Sequence, residues 1–242
     1  MINTVTDKCN ALSLAAFSKN LEQVLEMSEK HNWPILQILE HLLDHELERR
    51  KHNRISLRYK QSKLGEKITI EQFNFNYHKS RKDKKNKILS LMSREFIDEH
   101  KDIILIGNPG TGKSFLAKAI AYAATQSQKK VLFTTAIDMI NQLVAADSGN
   151  SLLKKLHFYQ SPELLAIDEL GYLPLGVQGS NLFFQVISAR HTKGSTMITT
   201  NLPFASWGKI FDSTTVATAI ADRLVFNSEI LIMGGESYRK KR

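Results

Sequence analysis

The sequence is short of cysteine, of acids relative to bases, and of long apolar runs, and each shortage excludes something. Cys9 is the only cysteine among 242 residues, so no intrachain disulfide can form, which fits a reducing compartment. The eight histidines form no metal-spaced cluster with Cys9. No segment reaches transmembrane length, and the N-terminus has no basic stretch leading into an apolar core. The expectation is a soluble cytoplasmic protein with no membrane partner. Asp and Glu number 24 against 33 for Lys and Arg, a net charge of +9. That excess suits a polyanionic partner, DNA or RNA before a membrane, although charge alone also allows a merely soluble basic protein.

What is present centres on Gly107-Asn108-Pro109-Gly110-Thr111-Gly112-Lys113-Ser114, which fits the pattern G-x-x-x-x-G-K-[ST]. Asp102 to Ile106 before it is a short aliphatic run that predicts a buried parallel strand. Phe115 to Ala124 after it predicts a helix. Strand, glycine turn and helix start are what a phosphate needs. Glycines let successive N–H groups turn inward, the helix N-terminus adds partial positive charge, and Lys113 reaches the β- and γ-phosphates. The Ser114 hydroxyl suits Mg²⁺, an ion that takes oxygen ligands. The expected ligands are therefore ATP and Mg²⁺, with residues 107 to 114 and Phe115 as the binding set.

Glu163 to Glu169 is an apolar run ending in two acids. In a phosphate-loop protein Asp168 is the carboxylate brought beside Mg²⁺, and Glu169 orients and polarises the attacking water. Further strands are expected at 131–134, 195–201 and 229–233. Asn201, at the end of one of them, is a group able to sense the γ-phosphate or hold that water, although by itself such an Asn is more often a turn residue. Residues 11–50 read as helices, with Pro34 opening the second of them. Residues 68–77 read as strand-like or extended and aromatic, able to pack on an adenine ring or simply to pin a linker. A basic block at Arg49 to Lys63 is equally a solvated helix face or a phosphate-contacting surface; a second, Lys79 to Lys87, leads into a helix, and the two together carry the expectation of DNA contact.

Taken together, the order of motifs resembles the AAA+ ATPases of the helicase-loader group, most closely the IstB-type helper ATPases of insertion-sequence transposition. The residues that carry this are Gly107 to Ala117, Leu165 to Leu170, Thr199-Thr200-Asn201-Leu202-Pro203-Phe204-Ala205-Ser206-Trp207, Ala219 to Leu224 and Gly235 to Arg239. The resemblance implies an α/β fold: a five-stranded parallel sheet flanked by helices, with the Asn201 strand between the strands of the phosphate loop and Asp168. The resemblance runs from about Gln72 to Arg239; ahead of it a small all-α N-terminal domain (1–67, for DNA or partner contact and assembly) is expected, then an ATPase domain (68–242), with no C-terminal lid expected after the last strand. It also implies active sites shared between subunits of an ATP-dependent homo-oligomer, with Arg223 as the trans-acting arginine finger and Arg190 and Arg239 as the other candidates. Lys113, Glu169, Asn201 and Arg223 are then the catalytic set, and Ser114 and Asp168 the metal ligands. The implied activity is DNA-stimulated ATP hydrolysis on double-stranded DNA of largely any sequence, in service of a transposase. A replicative helicase loader of the DnaC type, or a nucleotide-switched DNA-binding module with little turnover, are the rivals.

Overall fold

The computed structural model describes residues 2–238, and the chain divides into two compact units, 1–57 and 58–242. The first unit is helical: α1 (Ile2–Ala11), α2 (Ala15–His31) and most of α3 (Ile35–Gln61), which opens directly after Pro34. Leu21, Val24 and Leu42 are buried together, with Phe17, Leu25, Trp33 and Ile38 packed around them. Its one buried acid, Glu46, accepts from the Ala16 backbone N–H at 2.9 Å and is gripped by Arg49 and Arg50. Those arginines, chiefly Arg49, hold its carboxyl down at about 2, because the charged form is hydrogen-bonded. Two of the basic residues at the start of the first block therefore neutralise an acid of their own helix.

The second unit begins with the end of α3, and its first residues join the sheet layer. Phe133 N–H donates to Ser62 O at 2.8 Å, Arg58 Nε donates to Gln128 O at 3.0 Å, and Leu64 is buried. Residues 68–77 form two 3-10 turns, Ile70–Gln72 and Phe75–Tyr77, instead of a strand. Local hydrogen bonds explain the difference: Gln72 reaches back to the Thr69 N–H, and Asn74 Oδ1 accepts from Asn76 N–H. These side chains offer the backbone turn partners that compete with a ladder. Short helices α4 (Lys79–Asp83), α5 (Lys85–Ser90) and α6 (Glu95–Asp98) follow.

From there strands and helices alternate: β1 (Asp102–Gly107), α7 (Lys113–Gln126), β2 (Val131–Thr135), α8 (Ala136–Ser148), α9 (Leu152–Gln160), β3 (Leu164–Leu170), α10 (Gly176–Arg190), β4 (Ser195–Thr200), α11 (Thr214–Val225) and β5 (Ser228–Met233). The five strands are parallel in the order β2-β3-β4-β1-β5. The strand of Asn201 thus lies between that of the phosphate loop and that of Asp168. Both sheet faces are covered, which is why the strands read as nearly unbroken apolar runs. Ile103, Leu105, Ala166 and Met197 pack on Leu116 and Ile120 of α7, while Ile104, Ile167 and Ile198 pack on Met139 of α8 and Phe183 of α10. Because all five strands are parallel, the loop after β1 and the ends of β3 and β4 come to one edge.

Candidate active site

At that edge the chain after β1 turns through Gly110 and Gly112, both left-handed (φ 79° and 100°), before α7 starts at Lys113. A Cβ at Gly112 would lie 2.8 Å from the Phe73 ring and 3.0 Å from Arg81 Nη2, so both conformation and space require glycine there. Lys113 is buried and its Nζ donates to Gly107 O at 2.7 Å and Asn108 O at 3.0 Å. The ammonium is thereby held over the loop rather than lost to solvent.

Ser114 Oγ donates to Asp168 Oδ1 at 2.9 Å, although the two are far apart in sequence. Between Ile167–Ile198 and Leu170–Thr200, β3 takes three steps where β4 takes two. This is a β-bulge, a device that re-aims a side chain next to a site. Its consequence is visible at Glu169, a non-glycine residue at φ 63°. Asp168 stays buried while Glu169 is exposed and lines the cleft. One side chain, Thr199, faces both positions: its hydroxyl donates to Asp168 Oδ1 and accepts from the Glu169 N–H at 3.0 Å. A left-handed residue of this kind persists only when its surroundings hold it, and Thr199 is what holds it.

The cleft is lined by Lys113, Ser114, Glu169, Thr199 and Thr200, with Phe73, Arg81, Phe115, Tyr172 and Tyr238 among its remaining walls. Asn201 follows β4 but does not line it; its Oδ1 is buried and has no donor. Arg223 lies on α11, outside the cleft. Its Nη1 donates to Ala219 O at 2.8 Å and its guanidinium covers the Phe184 ring. Arg190 departs furthest from expectation. It is 1% exposed, and its guanidinium donates to Thr196 Oγ1, Gln160 O, Pro162 O and Ser195 O. Burial lowers its pKa to about 10. A side chain so enclosed cannot reach another subunit, so Arg190 is removed as an arginine finger. Arg239 lies outside the described residues.

The family described as IstB-like ATP binding protein matches residues 7–242. The chain belongs to that family. It is 35% identical over 239 residues to a Geobacillus stearothermophilus protein named for ATP binding in insertion sequence IS5376, covering 99% of this chain and 94% of the relative. A Pseudomonas aeruginosa protein named likewise for insertion sequence IS21 is 34% identical over 230 residues, covering 95% and 86%. Among solved structures, the DnaC helicase loader superposes with a TM-score of 0.58 at 20% identity, over 69% of this chain and 97% of that one. AMPPCP-bound DnaA from Aquifex aeolicus gives 0.59 at 16%, over 72% and 52%. At such identities these two speak for the fold alone.

Sequence reasoning missed two members of the site. Thr199 is seen in the sequence only as one of two threonines ending a strand, and its double hydrogen bond depends on the bulge opposite. Arg81 is hidden in the second basic block. It is 4% exposed, and its Nη2 donates to Thr111 O at 2.9 Å. Lys87 of the same block is paired with Glu229, and Lys79, Lys82 and Lys85 are its other exposed cations.

Proposed function

We propose that the protein is an ATP-hydrolysing, DNA-binding helper of a transposase, which assembles on target DNA in its ATP-bound form and is reset by hydrolysis. The observation that carries this is the linked set Ser114, Asp168, Thr199 and Glu169 beside Lys113. The residues fit the groups they would hold. Ser114 Oγ and Asp168 Oδ1 are hard oxygen donors suited to Mg²⁺, which neutralises phosphate charge when bound. The loop N–H groups from Gly107 to Phe115 and the Lys113 ammonium suit the phosphates. Glu169 is exposed to the cleft as a base for water, and Asn201, just after β4, is assigned to the same step from its place at the strand end.

Arg223, outside the cleft of its own chain, fits a finger that completes a neighbour's site in a homo-oligomer. The helical residues 1–67 are assigned to DNA or partner contact and assembly, and 68–242 to the ATPase. Exposed Lys51, Lys60 and Lys63, with Lys79, Lys82 and Lys85, are the DNA-facing candidates, in a protein acting in the cytoplasm. The relatives' insertion-sequence names favour this reading over a helicase loader of the same fold.

The test is to measure ATP binding and hydrolysis separately, with and without duplex DNA of unrelated sequences. Hydrolysis is expected to rise with duplex, and DNA affinity to fall steeply with salt through counterion release. Lys113→Ala should lose ATP binding. Arg223→Ala should bind ATP and hydrolyse it about 10³–10⁵ more slowly, the range for arginine fingers. Mixing the two variants should return some activity, because a Lys113→Ala subunit still lends its Arg223. Full DNA-stimulated turnover by Arg223→Ala removes the finger assignment, and no turnover by the wild type on DNA removes the enzyme reading.

A further inference from the structure

Arg81 is the group in the cleft that the reading above leaves without a task. Three aromatic rings surround its guanidinium: Phe73 at 4.5 Å, Tyr77 at 5.0 Å and Tyr238 at 5.2 Å from Cζ. Its two hydrogen bonds go to backbone carbonyls, Nη1 to Asn74 O at 3.2 Å and Nη2 to Thr111 O at 2.9 Å. No carboxylate pairs with it among the described residues, and burial lowers its pKa. A buried cation without a counter-ion is costly to keep. Two other buried groups among the described residues are answered by an opposite charge: Glu46 by Arg49 and Arg50, Asp102 by Arg190. Arg81, like Lys113, faces a cleft built for an anion.

Its contact with Thr111 has a definite electrostatic effect. The Thr111 carbonyl and the Gly112 N–H belong to one planar trans peptide, so they point in opposite directions. A donor that fixes the carbonyl on one side fixes that N–H on the other, and charge on the donor polarises the peptide between them. The neighbouring geometry reinforces this. Gly112 is left-handed, and the space where its Cβ would sit is filled by Phe73 and Arg81. Tyr238 N–H donates to Gly110 O at 2.9 Å and Tyr77 Oη donates to Ser237 O at 3.1 Å. The aromatic cage is thus tied to the loop from both ends of the ATPase unit.

We infer that Arg81 is a positioning residue of the phosphate loop: it orients the Thr111–Gly112 peptide towards a bound polyphosphate and supplies a fixed positive charge that the polyphosphate answers. This rests on the reading of the cleft as a nucleotide site. It assigns to recognition of phosphate, rather than of the base or of DNA, an arginine that the sequence places in a DNA-facing block. The same residue in a purely stapling role would hold residues 70–83 and Tyr238 in place and would matter equally for every part of the nucleotide.

The experiment is calorimetric binding of ADP, pyrophosphate and adenosine to wild type, Arg81→Met, Arg81→Lys and Lys113→Ala, with thermal melting of each protein without ligand. Hydrogen bonds involving a charged group contribute about 1.5–3 kcal/mol, so Arg81→Met is expected to weaken ADP and pyrophosphate by about tenfold to hundredfold. Adenosine affinity should stay within about twofold. Arg81→Lys keeps the charge and loses the planar fork, and should fall between, about threefold to tenfold weaker for pyrophosphate. If Arg81→Met does not fold, the lysine variant decides by the same comparison. Pyrophosphate affinity unchanged in the folded variants, or adenosine and pyrophosphate weakened together, overturns the proposal. Lys113→Ala separates the two levels. Its loss of pyrophosphate binding supports the cleft as the phosphate site whatever Arg81 does, and its retention sinks both.

Discussion

The two ends of the same parallel strands carry similar residues to opposite ends. Where β1 and β4 begin, Asp102 accepts from the Thr196 N–H at 2.6 Å, and Arg190 spends its N–H groups on Thr196, Ser195 and the carbonyls of Gln160 and Pro162. That cluster is buried and closed. Where β3 and β4 end, Asp168 and Glu169 share a bulge, Glu169 is left-handed and open to a cleft, and Asn201 Oδ1 is buried with no donor. A satisfied polar cluster stabilises and specifies the fold, whereas one with strain and an orphaned acceptor is arranged for something that binds. Charge and burial alone do not tell the two ends apart. Hydrogen-bond completeness does.

The comparison breaks most visibly at the open end. Glu169→Gln should cut ATP turnover by about 10²–10⁴, the usual worth of a general base, with ATP affinity within about threefold of wild type. Thr199→Val, which keeps the shape and removes the hydroxyl, should lower kcat by about tenfold to hundredfold through misplaced carboxylates, and Thr199→Ser should restore most of it. Single-turnover assays with separate binding measurements check both. Wild-type turnover in Glu169→Gln would remove the catalytic role, and an equal loss in Thr199→Ser would make Thr199 a packing residue.

At the closed end the expected effect is on stability. Arg190→Met leaves Thr196 Oγ1 and the carbonyls of Gln160, Pro162 and Ser195 without their donor, takes the positive charge away from Asp102, and should destabilise by about 3–5 kcal/mol, as breaking a buried charged network does. Denaturant titration reads this directly. ATP affinity per folded molecule should change by less than about twofold; a larger change would join the two ends that the comparison keeps apart.

The smallest effect sharpens it further. Burial pushes the Asp102 carboxyl up from 3.8 to about 7, against the pull of the Thr196 N–H and Arg190. A carboxyl raised in the folded state binds its proton there more tightly than in the unfolded chain. Its contribution is therefore full below about pH 4 and is lost as pH rises to about 7. Asp102→Asn still offers an acceptor to Thr196 and should flatten that fall, on the order of 1–3 kcal/mol across the window. Melting curves from pH 4 to 7 test the sign. Glu46 acts oppositely and lower down: held at about 2 by Arg49, its contribution is present above about pH 4.5 and is lost as pH falls through 2.

By itself the sequence determined what repeats along the chain or is carried by contiguous residues. Five apolar runs became five parallel strands, because strands buried on both faces need unbroken aliphatic stretches. Gly107 to Ser114 announced a phosphate loop because its chemistry is made by eight consecutive residues. Pro34 marked the start of α3. What only the tertiary structure decided are relations between residues distant in the chain. The bulge that turns Glu169 into the cleft exists in the pairing of β3 with β4, and Thr199 acquires both its partners from it. Arg81 and Arg190 read alike as basic residues near helix ends, yet one is enclosed against the loop at Thr111 and the other against Asp102 and Thr196. Whether a charged side chain meets solvent, an anion or a carbonyl depends on what the fold packs against it, and that information is nowhere in the local sequence.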